Sequence, residues 1–318
     1  MNPTEIFING YGRLRSGWRL AVFLIALFAL SGVLGGLIGA ISYLSIGFSE
    51  NSLLAIVIPF VLLLTVAVFA GWLCGRFLEG LPFRALGCWF TRNWLKDLLL
   101  GLVFGASAMC LAALITVIFG ATSFQFNHDA GQSAILLTLA VSLGIFIAGA
   151  AAEEALFRGY ILQTFVRANL AWLAIVLTSL FFAAGHLTNP GADYISIINT
   201  VLAGIWFSVA YLKTRTLWLA FGLHLAWNWV QGAVLGLPVS GITEITTAPL
   251  LLPTNTGSIV LTGGDYGIEG GIACTIAVII FILLTWFSPI FKPTEEMLNL
   301  TGNENPKNNL LSKEPFTD

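Results

Sequence analysis

The sequence predicts an all-α membrane protein of about eight transmembrane helices in one bundle, with a short β-leaning outer loop. Three observations predict it. Of 318 residues, 57% are hydrophobic and only 9% are charged, against about 25% charged in a soluble domain. Eight apolar runs approach or exceed the ~20 residues that a helix needs to cross the hydrocarbon core. All 14 Lys and Arg residues fall at alternate ends of those runs.

The runs lie near 18–46, 53–78, 97–120, 136–166, 171–187, 194–213, 216–237 and 271–291. The fifth and sixth are short and rest on their flanking residues. Arg13, Arg15 and Arg19 precede the first run, and Arg76, Arg84, Arg92 and Lys96 separate the second from the third. Arg158 and Arg167 end the fourth, Lys213 and Arg215 separate the sixth from the seventh, and Lys292, Lys307 and Lys313 follow the eighth. The intervening loops, 47–52, 121–135, 188–193 and 238–270, contain no Lys or Arg. The positive-inside rule then predicts a multi-pass cell-membrane protein with both termini cytoplasmic. Residues 1–292 are expected to form one polytopic membrane domain, and 293–318 a polar, Asn-rich, disordered cytoplasmic tail.

Two connections are more than turns. Residues 79–96, EGLPFRALGCWFTRNWLK, combine aromatic and basic residues and are expected to lie along the cytoplasmic interface. The outer loop 238–270 is expected to cap the bundle or make a small hairpin, its β-leaning pieces being ITEITT and SIVLT. No cleavable signal peptide is expected, and the C-terminal EPFTD carries no prenylation signal. The four cysteines suggest neither a disulfide framework nor a zinc site. GGLIGA near 35–40 has the small residues of a helix contact, a pattern common in membrane helices.

Inside the spans, ionisable groups are rare because each costs roughly 2.5–3.5 kcal/mol at a helix centre. Glu153 and Glu154, in AAEEALFRGY, lie deep in the fourth run. His186 and His224 lie in the fifth and seventh, and Asn228 shares a helix face with His224 four residues earlier. At the helical rise, Glu153 lies ~21 Å from Arg167, His186 ~22 Å from Ala171 at the start of the fifth run, and His224 and Asn228 ~13 and ~20 Å from Arg215. Glu154 and Arg158, spaced i, i+4, are expected to pair within the helix and leave Glu153 as the free carboxylate. Such a group beside two imidazoles and an amide makes an acid–base site. Glu153 could take a proton from water attacking a carbonyl, with histidine and Asn228 donating to the oxyanion. Alternatively, Glu153, His186 and His224 could hold a metal such as zinc whose bound water is the nucleophile.

Blander readings stand beside these. Glu154 and Arg158 serve equally as a structural brace, and His224 and Asn228 as hydrogen-bonding between helices. Phe182 reads as packing and His128 as a solvated loop residue. A transporter with Glu153 as proton relay would predict symmetric halves, and no internal repeat is visible. A catalytically silent scaffold or immunity-type protein is the remaining class.

Taken together, EEALFR (Glu153 to Arg158), FAAGH (Phe182 to His186) and HLAWN (His224 to Asn228) resemble the EExxxR, FxxxH and HxxxN motifs of a known family. It is the CPBP family of intramembrane proteases, named for CAAX prenyl endopeptidases and bacteriocin processing (Abi-type). The resemblance covers roughly 133–237, and GRLRSGWRL and LTGGDYGIEGG also look like features of bacterial-type members. It implies an eight-helix intramembrane endopeptidase, but the substrate does not carry over, because bacterial-type members need not act on prenylated proteins. The expected partners are a membrane-embedded or lipidated protein or peptide and the lipid bilayer, with no nucleic acid. In such an endopeptidase Glu153 would be the general base, helped by His186. His224 and Asn228 would bind the oxyanion, and Glu154 and Arg158 would orient the site. No cofactor is expected to be obligatory, a divalent metal such as zinc being the alternative.

Overall fold

In the computed structural model, which describes residues 4–44 and 53–302, the apolar runs become helices. After a single turn, α1 (Thr4–Phe7), come α2 (Ser16–Leu44), α3 (Leu53–Cys74) and α4 (Trp94–Ile118). The central part of the chain forms α5 (Gln132–Glu154), α6 (Leu162–Arg167), α7 (Ala171–Ala184), α8 (Tyr194–Thr214) and α9 (Trp218–Trp229). A short α10 (Ile259–Thr262), α11 (Ile272–Phe287) and α12 (Glu295–Thr301) complete the helices.

Among the described residues, five helical stretches are long and apolar enough to cross a membrane: Ser16–Ile41, Leu53–Glu79, Trp94–Ile118, Gln132–Arg167 and Tyr194–Thr214. Shorter apolar helices, α7 and α11, stand at the fifth and eighth runs, and α9 stands at the seventh. The chain is an all-α multi-pass membrane protein. The last residues of the first run and the 47–52 loop lie outside the described residues.

The tightest crossing sets the position of the site. A Cβ on Gly101 of α4 would stand 2.5 Å from the Leu219 carbonyl oxygen of α9. One on Gly222 would stand 2.5 Å from that of Leu98, and one on Gly105 would overlap Leu223. The glycines let two backbones touch, as small residues do between membrane helices. They hold α9 at the residues next to His224. GGLIGA makes no such backbone crossing: a Cβ on Gly35 would meet only the Leu62 side chain, at 3.8 Å, and Gly36 and Gly39 have open space there.

Three helices widen into π-helical turns as they end: α3 at Gly75–Glu79, α5 at Ala155–Ile161 and α9 at Val230–Val234. Such turns re-aim side chains and occur often at functional sites. The one after α5 begins immediately beyond Glu154 and contains Gly159 at a non-helical ψ of −121°.

The outer segments differ from expectation. The described strands are β1 (Thr122–Phe126) and β2 (Leu251–Asn255), paired antiparallel from Thr122 opposite Asn255 to Phe126 opposite Leu251. ITEITT instead makes turns with a single bridge, Val239 to Ile242. SIVLT holds α10, started by the Ser258 side chain accepting from the Val260 amide. A strand exists where a partner edge exists, and β1 offers its edge to LLPTN. Pro253, lacking a donor, is tolerated in a ribbon of this kind.

The start of the tail is also ordered, against the expectation of disorder over 293–318. Thr294 caps α12 by accepting from the Met297 amide, and Met297 is fully buried. Residues 303–318 lie outside the described residues. Along 79–96, Trp89 and Phe90 are exposed as an interfacial segment should be. Glu79 itself is buried, however, and binds two arginines that the sequence places at the membrane edge. Arg19 donates to it at 2.9 Å, and Arg167 donates through two nitrogens at 2.7 and 2.8 Å.

Candidate active site

Glu153 and Glu154 end α5, and successive helical side chains diverge by about 100°. Glu154 turns inward and is 1% exposed. Its Oε1 accepts from Arg158 Nη1 at 3.1 Å and from His224 Nδ1 at 3.0 Å. The expected i, i+4 pair is therefore present, and it has a third member from α9. Arg158, fully buried, also donates Nη2 to the Gly204 carbonyl of α8. Its guanidinium lies 4.8 Å from the Phe182 ring centre and 5.1 Å from that of Phe207. Phe207 stacks on the His224 imidazole at 4.7 Å. Phe182 thus packs between the Arg158 cation and the His224 ring, 5.9 Å from the latter.

These bonds determine how the two histidines are presented. An ionised carboxylate only accepts, so the His224 nitrogen facing Glu154 carries a proton. His224 Nε2 then lies 3.7 Å from Glu153 Oε2, beyond direct hydrogen-bond reach. His186 sits just past the end of α7, and its Nδ1 donates to the Phe182 carbonyl at 2.8 Å. A carbonyl cannot donate, so Nε2 is left as the working atom of that ring.

Glu153, His186, His224 and Asn228 all line one cavity of about 400 Å³. The structure brings together all four residues singled out for chemistry. Glu154 and Arg158 stand behind its wall. His128 is elsewhere, against Phe126 in the outer ribbon at 5.4 Å. Phe60 and Leu63 of α3 and Leu156 form an apolar flank to the cavity. Loop residues Asn189, Ser240 and Glu269 form its polar side, and all three come from the loops free of Lys and Arg.

Glu269 is the residue that sequence reasoning missed. Its Oε1 accepts from Trp227 Nε1 at 2.9 Å, and its Oε2 from the Ser240 amide at 2.6 Å and hydroxyl at 3.0 Å. Trp227 lies between His224 and Asn228 on α9, so one loop carboxylate fixes the rotation of that helix and clamps the cavity rim. Ser240 has φ of 50°, strained for a residue with a side chain, and Asn189 holds its carbonyl at 3.0 Å. The available signal was LTGGDYGIEGG, two acids, Asp265 and Glu269, in a glycine-rich loop. Nearby Tyr266 is buried, and burial, followed by the charge of Glu269, pushes its hydroxyl up to about 12. It is therefore a neutral donor at ordinary pH.

Among the described residues, no three His, Cys, Asp or Glu side chains are arranged to hold a metal. Glu153, His186 and His224 do not make the three-ligand set that a catalytic zinc requires.

Residues 134–230 match the Rce1-like family, described as type II CAAX prenyl endopeptidase Rce1-like. The match contains all three motifs, and the family resemblance holds over that segment. The chain is also 27% identical over 164 residues to the uncharacterized protein YyaK of Bacillus subtilis (strain 168). That alignment covers 49% of this chain and 54% of YyaK, so the chain spans about half the length of this curated relative.

Proposed function

We propose that the protein is an intramembrane endopeptidase of the CAAX-protease type that hydrolyses peptide bonds with a glutamate-activated water. The observation carrying this reading is that Glu153, His186, His224 and Asn228, from three separate helical segments, line one cavity. The match of residues 134–230 to the Rce1-like family supports it. Glu153, assisted by His186 Nε2, takes a proton from water, and the resulting hydroxide attacks the scissile carbonyl carbon. His224, carrying protons on both nitrogens, donates Nδ1 to Glu154 and Nε2 to the oxyanion, beside the Asn228 amide. Collapse breaks the C–N bond, and Glu153 returns its proton to the leaving nitrogen.

The substrate is a membrane-embedded or lipidated protein or peptide. The apolar flank of Phe60, Leu63 and Leu156 supports sideways entry from the bilayer between α3 and α7, helices with little contact between them. The protein resides in the cell membrane with both termini cytoplasmic, as the one-sided cations indicate. In that orientation the polar rim of the cavity faces the opposite side.

The test is cleavage of a membrane-peptide library in reconstituted vesicles by wild type and Glu153→Gln, each with and without chelator. Wild type should cleave regardless of chelator, and Glu153→Gln should be slower by about 10²–10⁴-fold with an unchanged melting temperature. Activity surviving Glu153→Gln would sink the mechanism. Activity lost on chelation and restored by zinc would replace it with a metal-bound nucleophile.

A further inference from the structure

Helix α8 contributes none of the residues assigned to the chemistry, yet one of its rings bears directly on them. Phe207 lines the cavity and is stacked on the His224 imidazole, the two planes 16° apart and the ring centres 4.7 Å apart. Phe182 meets the same imidazole edge-on, at 82° and 5.9 Å. Both contacts have the separations of attractive aromatic pairs. The hydrogen bond from His224 to Glu154 holds one atom of the ring, Nδ1. It does not by itself hold the plane, because the torsion between Cβ and an imidazole has a broad well. With the plane as observed, Nε2 lies 3.7 Å from Glu153 Oε2 at the cavity wall. Turning the plane about that torsion redirects the Nε2–H.

Phe207 is itself held firmly. It is 2% exposed, and Trp206 beside it lies nearly parallel, at 24° and 5.9 Å. The Trp206 indole donates to Thr285 of α11 at 2.9 Å, and the Gly204 carbonyl accepts from Arg158 Nη2 at 3.0 Å. The Arg158 cation also lies 5.1 Å from the Phe207 ring centre. One ring thus meets both the guanidinium paired with Glu154 and the imidazole bonded to it. No motif in the sequence marks it: Phe207 lies outside EEALFR, FAAGH and HLAWN, on a helix without an acid or a histidine.

We propose that Phe207 is a positioning residue for the oxyanion step, its face setting the plane of His224 so that the Nε2–H points into the cavity. The inference rests on the proposed reading of His224 as an oxyanion donor. A donor turned out of line weakens the transition state and leaves binding of the uncleaved peptide alone. Loss of the ring therefore acts on kcat and spares KM.

The test compares wild type, Phe207→Leu and Phe207→Tyr in reconstituted vesicles, on a library peptide that wild type cleaves, together with the melting temperature of each. Phe207→Leu should lower kcat at least ~10-fold with KM within ~2-fold, and Phe207→Tyr, which keeps the ring, should stay within ~3-fold of wild type. Phe207→Met replaces the leucine variant if that one does not fold. Unchanged kcat in the ringless variant, a loss seen only in KM, or an equal loss in Phe207→Tyr at an unchanged melting temperature would overturn the proposal. A structure of the ringless variant needs no substrate. It should show the His224 plane turned or split between orientations, and an unchanged plane would overturn the proposal too. Absence of cleavage by wild type would count against the endopeptidase reading alone, with the positioning role then decided by that structure.

Discussion

Glu79 and Glu154 are both buried carboxylates gripped by arginine inside an apolar bundle, yet they do different work. Glu79 joins Arg19 of α2 to Arg167 of α6, so its oxygens are committed to cations on both sides. It braces three parts of the chain and presents nothing to a cavity. Glu154 spends one oxygen on Arg158 and on the imidazole of His224, whose other nitrogen faces Glu153 at the cavity wall. The difference lies in the partner: both oxygens of Glu79 are held by guanidinium groups, whereas Glu154 also meets an imidazole whose second nitrogen faces the cavity. The two buried clusters thus differ in what their partners touch next: bundle interior for Glu79, the cavity wall for Glu154.

The largest effect that would break this comparison is on stability. Glu79→Gln leaves two buried guanidinium groups short of a counter-charge and is expected to cost about 3–5 kcal/mol. Thermal or denaturant unfolding in detergent would show it, and proteolysis per folded molecule should be unchanged. Glu154→Gln should do the reverse. It keeps an acceptor for Arg158 and His224 but loses the charge that orients the imidazole, and kcat should fall about 10²-fold, at the low end for an oxyanion donor. If both variants lose stability alike and neither loses turnover, the two clusters are equivalent braces.

A smaller effect is expected at Glu269. Glu269→Gln retains one acceptor for Trp227 or Ser240 but not all three bonds, and about a tenfold loss of kcat/KM is expected from a helix face held less firmly. Hydrogen exchange at Ser240 and Gly241 should rise in the same variant. The smallest effect belongs to Arg84, whose ion pair with Glu296 is 3.3 Å long and exposed on both sides. Arg84→Ala should cost less than about 1 kcal/mol, the usual worth of a surface pair. It should leave the rest of the bundle untouched.

Much of this molecule was legible in its residues. The spans followed from apolar length, because lipid offers the backbone no alternative hydrogen-bond partner and each helix must close its own. Glu153, His186, His224 and Asn228 stood out because polar groups in such spans are rare. The strand LLPTN was not legible, since its partner lies more than a hundred residues earlier. The crossing at Gly101, Gly105 and Gly222 was hidden among many glycines, and GGLIGA forms no backbone crossing of that kind.

By itself, the sequence determined the helices, the side that carries the cations and the short list of groups able to do acid–base chemistry. These depend on local composition and on period, which a chain carries wherever it folds. The tertiary structure decided that His224 joins the Glu154–Arg158 pair, which nitrogen of each histidine is left over, and that Glu269 from a distant loop locks the helix bearing His224 and Asn228. Those facts depend on rotations about helix axes and on contacts between segments far apart in the chain. Only close packing of the finished bundle sets them.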